Sequence, residues 1–298
     1  MTDLIHYNHC PVCKSADITF ALKAKDETVS KEYFEIWQCN NCKLRFTQDV
    51  PDEKSIGSYY QSSAYISHSN TSKGLVNKLY HTVRSFTLQS KRKLIEKSSS
   101  KKKGNLLDIG AGTGAFASTL KNRGWNVTAL EPDETARANA LKDFGIELQP
   151  TENLFSLQPK TFDVITLWHV LEHVHHLHKY LDTFFSLLVD GGTLIIAVPN
   201  YTSYDAKTYA YNWAAYDVPR HLYHFSPESM QLLLNAHHFK SMQQKPMWFD
   251  SFYVSLLSEK YISGKSNFLK AFTNGAVSNL KTLGKPANCS SIIYIAKK

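Results

Sequence analysis

The sequence predicts an α/β chain: a doubly wound, mostly parallel sheet preceded by a small cysteine-bearing module. Three observations carry this. From residue 105 onward, short apolar runs alternate with helical stretches, the pattern of parallel strands joined by crossover helices. A glycine-rich loop, Gly110-Ala111-Gly112-Thr113-Gly114, joins the first apolar run to the first of those helices. Ahead of it, two C-x-x-C pairs, Cys10/Cys13 and Cys39/Cys42, stand in strand-like text.

Composition narrows the class. The 298 residues are 43% hydrophobic, enough to build a core, and this excludes global disorder. No apolar run approaches the roughly 18 residues that span a bilayer. Residues 1–8 are polar, without a basic-then-apolar leader. The expectation is a soluble, cytoplasmic protein with no membrane partner. Lys and Arg outnumber Asp and Glu by 34 to 26, a net charge of +8. The window 91–103, KRKLIEKSSSKKK, opens on Lys91 and closes on Lys103 and holds seven basic residues against one acidic. Most of the excess is therefore one clump. It reads as a solvated helix tail and flexible joint, or as a phosphate-binding patch for RNA or a nucleotide-linked substrate. No aromatic residue interleaves it, so a base-stacking platform is not supported.

The elements follow in order. Cys10, Cys13, Cys39 and Cys42 offer the four soft ligands that tetrahedral zinc prefers, and the knuckle texts HCPVCKS and QCNNCKL suit the tight turns that aim two sulfurs at one ion. ITFALKAKD and EYFEIWQC read as strands between them, the plan of a zinc ribbon. With all four positions cysteine, no open site is left for catalytic water, so the metal is structural. A thioredoxin-like redox site would need one such pair and a strand-to-helix context. His6 and His9 are surplus to the ligand set, and Cys289 reads as a small core residue. Residues 51–104 form a linker, with Tyr59, Tyr60 and Tyr65, and a helix whose apolar positions include Leu75, Leu79, Val83 and Phe86.

The main domain occupies 105–298. Strands are expected at 105–109, 126–130, 146–149, 162–168 and 193–198, helices at 133–144 and 175–189, and a last strand in SSIIYIAKK. A helical insertion lies near 250–284. The glycine loop lets the backbone turn tightly and approach a ligand closely. Glu131, about 20 residues on at the end of the second strand, can accept both ribose hydroxyls. Together they call for an adenosine compound without a 2′-phosphate, for which NAD and S-adenosylmethionine are both suited. Asp108 stands just before the loop, where an acid can serve an ammonium group.

Four motifs in order now resemble the class I S-adenosylmethionine-dependent methyltransferases: LLDIGAGTG at 106–114, ALEPD at 129–133, FDVITLWHVLEHV at 162–174 and LVDGGTLIIAVPN at 188–200. The resemblance covers about two thirds of the chain. It implies a Rossmann-like, mostly parallel seven-stranded sheet and S-adenosylmethionine as cofactor. Asp108 and the loop residues Gly110, Ala111, Gly112 and Gly114 would hold the methionine end, Glu131 the ribose, and Pro132 would lie near the adenine. Trp168 and His169 would line the transfer side. The adenine-edge residue departs from the usual acidic pattern, leaving Glu152 or Asn153 to serve.

H-x-x-E-H at 169–173 also matches an inverted zinc-peptidase pattern, but that pattern needs one helix carrying both histidines. Residues 199–225 are dense in aromatics: Tyr201, Tyr204, Tyr209, Tyr211, Trp213, Tyr216, Tyr223 and Phe225. At the C-terminal edge of a parallel sheet they suit a cyclic or sugar-like acceptor, or a lid that excludes water. HLYHFS at 221–226 resembles a stretch of the zinc-containing sugar C-methyltransferases, whose matching histidine is His221; that family's extra C-terminal domain has no counterpart in the text. The resemblance implies His221 as base; on imidazole's suitable pKa range and on position, His169 or Tyr60 are second choices. Arg220 replaces the family's usual preceding acid. The expected function is methyl transfer to a small-molecule acceptor from sugar, polysaccharide or secondary-metabolite chemistry. An RNA methyltransferase gripping RNA with the ribbon and the 91–103 clump is the alternative.

Overall fold

The computed structural model describes residues 4–61, 75–265 and 267–298. Tyr65 lies outside the described residues. Among them, no helix is long and apolar enough to cross a membrane.

The chain opens with β1 (Leu4–Ile5) paired to β5 (Val50–Pro51), and an antiparallel sheet of β2 (Ile18–Lys25), β3 (Tyr33–Cys39) and β4 (Arg45–Thr47). The two C-x-x-C turns flank this sheet. In each, the first cysteine's carbonyl accepts an N–H from a lysine in the left-handed region: Lys14 at φ 61° bonds Cys10 and Lys43 at φ 60° bonds Cys39, both at 3.0 Å. A fourth strand, β10 (Tyr223–His224), joins β4 from far along the chain, pairing Tyr223 with Phe46 and His224 with Arg45.

Helix α1 (Leu75–Ser99) leads to β6 (Asn105–Ile109), whose Leu106, Leu107 and Ile109 are all buried. A strand covered on both faces needs such an unbroken apolar run. α2 (Ala115–Lys121), β7 (Asn126–Leu130), α3 (Glu134–Phe144), β8 (Phe162–Trp168), α4 (Leu177–Leu187) and β9 (Leu188–Pro199) follow. α3 is capped by Asp133, whose carboxylate accepts the Ala136 N–H at 2.6 Å. α4 buries Leu177, Tyr180, Leu181 and Phe184, the spacing of a single helical stripe. After α5 (Tyr204–Tyr209) and β10, α6 (Pro227–Ala236) begins on a capping box, with Ser226 as N-cap and Pro227 at the first position. β11 (Lys240–Pro246), α7 (Asp250–Ser263), α8 (Phe268–Thr282) and β12 (Ser291–Lys297) complete the chain.

The main sheet has six strands in the order β11-β12-β9-β8-β6-β7. β7, β6, β8 and β9 run parallel; β12 and β11 are antiparallel additions. The seven-stranded expectation is corrected here. Residues 146–149 form no strand and make a single parallel bridge, Leu130 to Gln149. Gln149 donates to Ala129 and accepts from Glu131, both at 2.9 Å. Pro150 follows with no N–H to give, so the ladder stops after one rung.

Candidate active site

The glycine loop sits between the C-terminal ends of β6 and β7, where open parallel sheets bind ligands. Gly110 and Gly112 have φ of +68° and +53°, and a side chain at Gly110 would put its Cβ 2.4 Å from Val170 Cγ2. At Gly112 a Cβ would meet nothing within 4 Å. The loop therefore has open space on that side, room that a ligand could take. Glu131 is buried beside it, one carboxylate oxygen accepting the Gly112 N–H at 2.7 Å and the other the Asp133 N–H at 3.1 Å. Burial raises its pKa. Asp108 lies under the loop, 1% exposed, with Thr166 donating to it at 2.6 Å. Burial pushes its pKa up to about 6, partly opposed by Thr166 and Lys91.

Most of the basic clump is solvated as expected, with Lys93, Lys97, Lys101, Lys102 and Lys103 exposed, but Lys91 departs from that reading. It shares a face of α1 with the fully buried Ile95, and its ammonium lies 4.1 Å from the centre of the Trp168 ring. Burial pulls its pKa down to about 8 against the pull of Asp108 and Asp250. A cation under Trp168 beside the glycine loop is placed to meet a carboxylate of a bound amino acid. Together with Asp108, Glu131 and the open glycine cradle, it makes a site whose charges and space fit S-adenosylmethionine.

β8 ends in a tight turn. His169 has φ +58°, a region non-glycine residues seldom enter and often a mark of function. Its Nδ1 lies 3.3 Å from Glu172 and its Nε2 3.5 Å from Asp250. Burial would lower its pKa, but those two carboxylates outweigh it and raise it. Glu172 is fully buried, and its Oε2 has no hydrogen-bond partner. His173 follows in a short 3-10 turn, Leu171–His173, so His169 and His173 do not share an α-helix and the peptidase pattern is not realised. His173 Nδ1 lies 3.0 Å from both the Arg220 carbonyl and the Tyr60 hydroxyl. Burial, then His221, push its pKa down to about 4.

The His221 ring packs edge-to-face on His173 at 4.6 Å. Its Nδ1 lies 2.8 Å from the Ala215 carbonyl, which can only accept, so Nδ1 is a donor there and Nε2 is the nitrogen left for other partners. Asp217 Oδ2 is 3.9 Å from that Nε2. A carboxylate four residues before His221 therefore stands near its ring, beyond hydrogen-bond reach. Tyr60, His169 and His221 all belong to this one cluster, with Glu172 and His173 between them.

The four cysteines converge. Their sulfurs lie within 4.8 Å of one another, with Cys10–Cys42 and Cys13–Cys39 at 3.5 Å. Zinc–sulfur bonds of about 2.3 Å in a tetrahedron put sulfurs about 3.8 Å apart, so the cluster fits zinc. No pair is near bonding distance for a disulfide.

The profile of a methyltransferase-domain family matches residues 81–244, more than half of the chain. The chain belongs to that family. Its relatives include the ubiquinone biosynthesis O-methyltransferases of Caulobacter sp. strain K31 and of Aeromonas salmonicida strain A449. They are 34% and 35% identical over 104 and 103 residues, 33% and 32% of this chain. The matches span only 41% and 43% of those proteins' own length. A putative sarcosine dimethylglycine methyltransferase from Galdieria sulphuraria shares the fold, with a TM-score of 0.50, 13% identity, and coverage of 74% of this chain and 88% of that one.

Within this class I S-adenosylmethionine-dependent methyltransferase domain, the aromatic block plays a different part from the one expected. Tyr201, Tyr209, Trp213, Tyr216, Tyr223 and Phe225 are buried, and their polar atoms are taken by protein partners such as Lys43 O, Glu259, Asp205 and His175 O. Several of them pack on Ala24, Phe34 and Ile36 of the ribbon. These buried rings join ribbon to methyltransferase. A small cavity of about 50 Å³ remains between Glu27 and Tyr33 of the ribbon and Tyr211, Trp213, Asp217 and Tyr261.

Proposed function

We propose that this protein transfers the methyl group of S-adenosylmethionine to a small-molecule acceptor in the cytoplasm. The acceptor class we favour is a sugar, a polysaccharide precursor or a secondary metabolite. Zinc bound by Cys10, Cys13, Cys39 and Cys42 folds the ribbon. The observation that carries the reading is the contact of two loops. Gly110, in the cofactor cradle, abuts Val170, in the turn that holds His169, Glu172 and His173. Methyl donor and titratable cluster are therefore neighbours.

S-adenosylmethionine supplies an electrophilic methyl group. Asp108 and Lys91 would hold the ammonium and carboxylate of its methionine end, Glu131 its ribose, and Pro132 would lie on its adenine side. Trp168 and His169 line the transfer side. His221 Nε2 takes the proton that the acceptor hydroxyl loses, and Asp217 steadies the imidazolium that results. Tyr60, through His173, holds the neighbouring ring. The O-methyltransferase names of the relatives agree with an oxygen acceptor. The RNA alternative has less support, because Lys91 is withdrawn from the basic clump into the cofactor side.

The test is tritiated-methyl transfer into a fractionated cell extract. Label in sugar-nucleotide or small-metabolite fractions supports the reading; label in RNA replaces it with the alternative. His221→Ala should lower turnover at least about 100-fold at saturating acceptor, within the range for losing a general base. Near-normal turnover would remove His221 from the base role.

A further inference from the structure

The ribbon does more than sit beside the methyltransferase domain. Arg220, adjacent in sequence to His221, is 1% exposed, and a buried guanidinium needs partners for all its N–H groups. It finds them on three elements. Nε and Nη2 fork onto the two carboxylate oxygens of Asp217, at 3.1 and 2.7 Å. Nη1 donates to Tyr59 O at 2.9 Å, the residue before Tyr60. Nη2 also donates to Asp26 Oδ1 at 2.9 Å.

Asp26 belongs to the ribbon, directly after β2, and is fully buried. The turn that follows wraps round its carboxylate: the backbone N–H groups of Thr28, Val29 and Ser30 and the hydroxyls of Thr28 and Ser30 all donate to it, between 2.8 and 3.1 Å. Such a carboxylate is fixed before Arg220 arrives. It is also held ionised: burial opposes this, but the Arg220 guanidinium and the Ser30 and Thr28 amides keep its pKa well below the usual range.

A second ribbon residue holds His221 by its main chain. Thr47, in β4, donates its hydroxyl to His221 O at 2.7 Å, and its N–H to Leu222 O at 2.9 Å. The ribbon thus grips Arg220, His221 and Leu222 directly and Asp217 through Arg220, with the His221 ring between Ala215 O and Asp217.

We propose that the ribbon is a working part of the methyl-transfer site, in which Asp26, acting through Arg220, and Thr47, acting on the His221 main chain, are positioning residues for His221 and Asp217. The proposal rests on the catalytic reading of His221 for its meaning, but its test does not depend on that reading. Asp26→Asn keeps the size and loses the charge that anchors the fork. Thr47→Val keeps the shape and loses one hydroxyl.

The experiment is nuclear magnetic resonance of the full zinc-loaded chain with ¹⁵N-labelled histidine, the His221 signals assigned by their loss in His221→Gln. Wild-type His221 should show one protonated and one unprotonated ring nitrogen. In Asp26→Asn and Thr47→Val the two signals should move toward each other as the ring exchanges tautomers. Zinc content and S-adenosylhomocysteine affinity should stay as in wild type. Lys23→Gln, exposed on β2, should leave His221 unchanged. If Asp26→Asn does not fold, Thr47→Val alone decides. Unchanged His221 signals in the variants that fold overturn the proposal. Turnover retained in His221→Ala overturns instead the base role, a separate outcome.

Discussion

Asp108→Asn should make the protein more stable and a poorer binder of its cofactor, and both signs come from the same burial. A carboxyl whose pKa rises from 3.8 to about 6 is, when ionised, about 3 kcal/mol worse off folded than unfolded. Asn keeps the shape and a polar partner for Thr166 without that cost. Lys91 loses one of its two carboxylate neighbours in the exchange, so about 3 kcal/mol is a ceiling, equivalent to roughly 6 °C in a chain of this length. The pH dependence fixes the mechanism. The folded pKa is raised, so between 3.8 and about 6 the folded chain binds more protons than the unfolded one, and wild-type stability falls as pH rises through that window. The variant lacks this slope. Its melting temperature should match wild type near pH 4, pull ahead toward pH 6, and hold a constant lead above. Meanwhile the cofactor's ammonium loses a charged acceptor worth about 1.5–3 kcal/mol, a ten- to 150-fold weakening. Scanning fluorimetry from pH 4 to 8 reads the first effect and titration calorimetry with S-adenosylhomocysteine the second. A variant that is less stable at pH 8, or that binds as tightly as wild type, refutes the reasoning.

Lys91→Met should weaken S-adenosylhomocysteine at least about tenfold and move the acid limb of its binding profile to higher pH, because Asp108 loses the cation that moderates its pKa; a pH series by calorimetry checks both. Gly110→Ala should lower the unfolding free energy read from urea melts by about 2 kcal/mol or more, since its Cβ would overlap Val170 at a left-handed backbone. Gly112→Ala should cost only about 1 kcal/mol of stability but disrupt cofactor binding, its Cβ entering the open cradle. Metal analysis should find one zinc per chain, lost in Cys39→Ser together with the cooperative melting of the ribbon. A second equivalent, abolished by His173→Ala, would instead place a cation among Glu172, His173 and His221, whose donor atoms also lie within 4.8 Å of one another.

Much of this was legible in the text. The apolar runs of β6, β8 and β9 are buried on both faces, so hydrophobicity alone marks them, and the cysteine spacing marks the metal cluster because two short turns suffice to build it. The residues that were not legible act across the chain. Asp26 and Arg220 lie 194 positions apart and meet only because β10 completes the ribbon sheet. Lys91 was hidden by its neighbours: in a run of charges one inward lysine looks like the rest, although its helical offset from Leu88 and Ile95 was a usable signal. The aromatic block misled for a related reason, since ring content does not say whether the rings face a ligand or another layer of protein. The shortfall of one strand came from a proline whose missing N–H matters only once its neighbour is known.

The register of β10 against β4 also bears on how the chain is made. Arg45 emerges from the ribosome well before its partner His224, and at about 5–20 residues per second the gap is roughly ten to thirty-five seconds. Through that interval β4, only three residues long, is the bare rim of the ribbon sheet. Its brevity and the Arg45 charge are the usual defences of such a rim against pairing with other chains. A nascent ribbon can therefore load metal early and wait. It closes only when the segment bearing His221 arrives, so that a chain truncated in its second half would leave the rim permanently open.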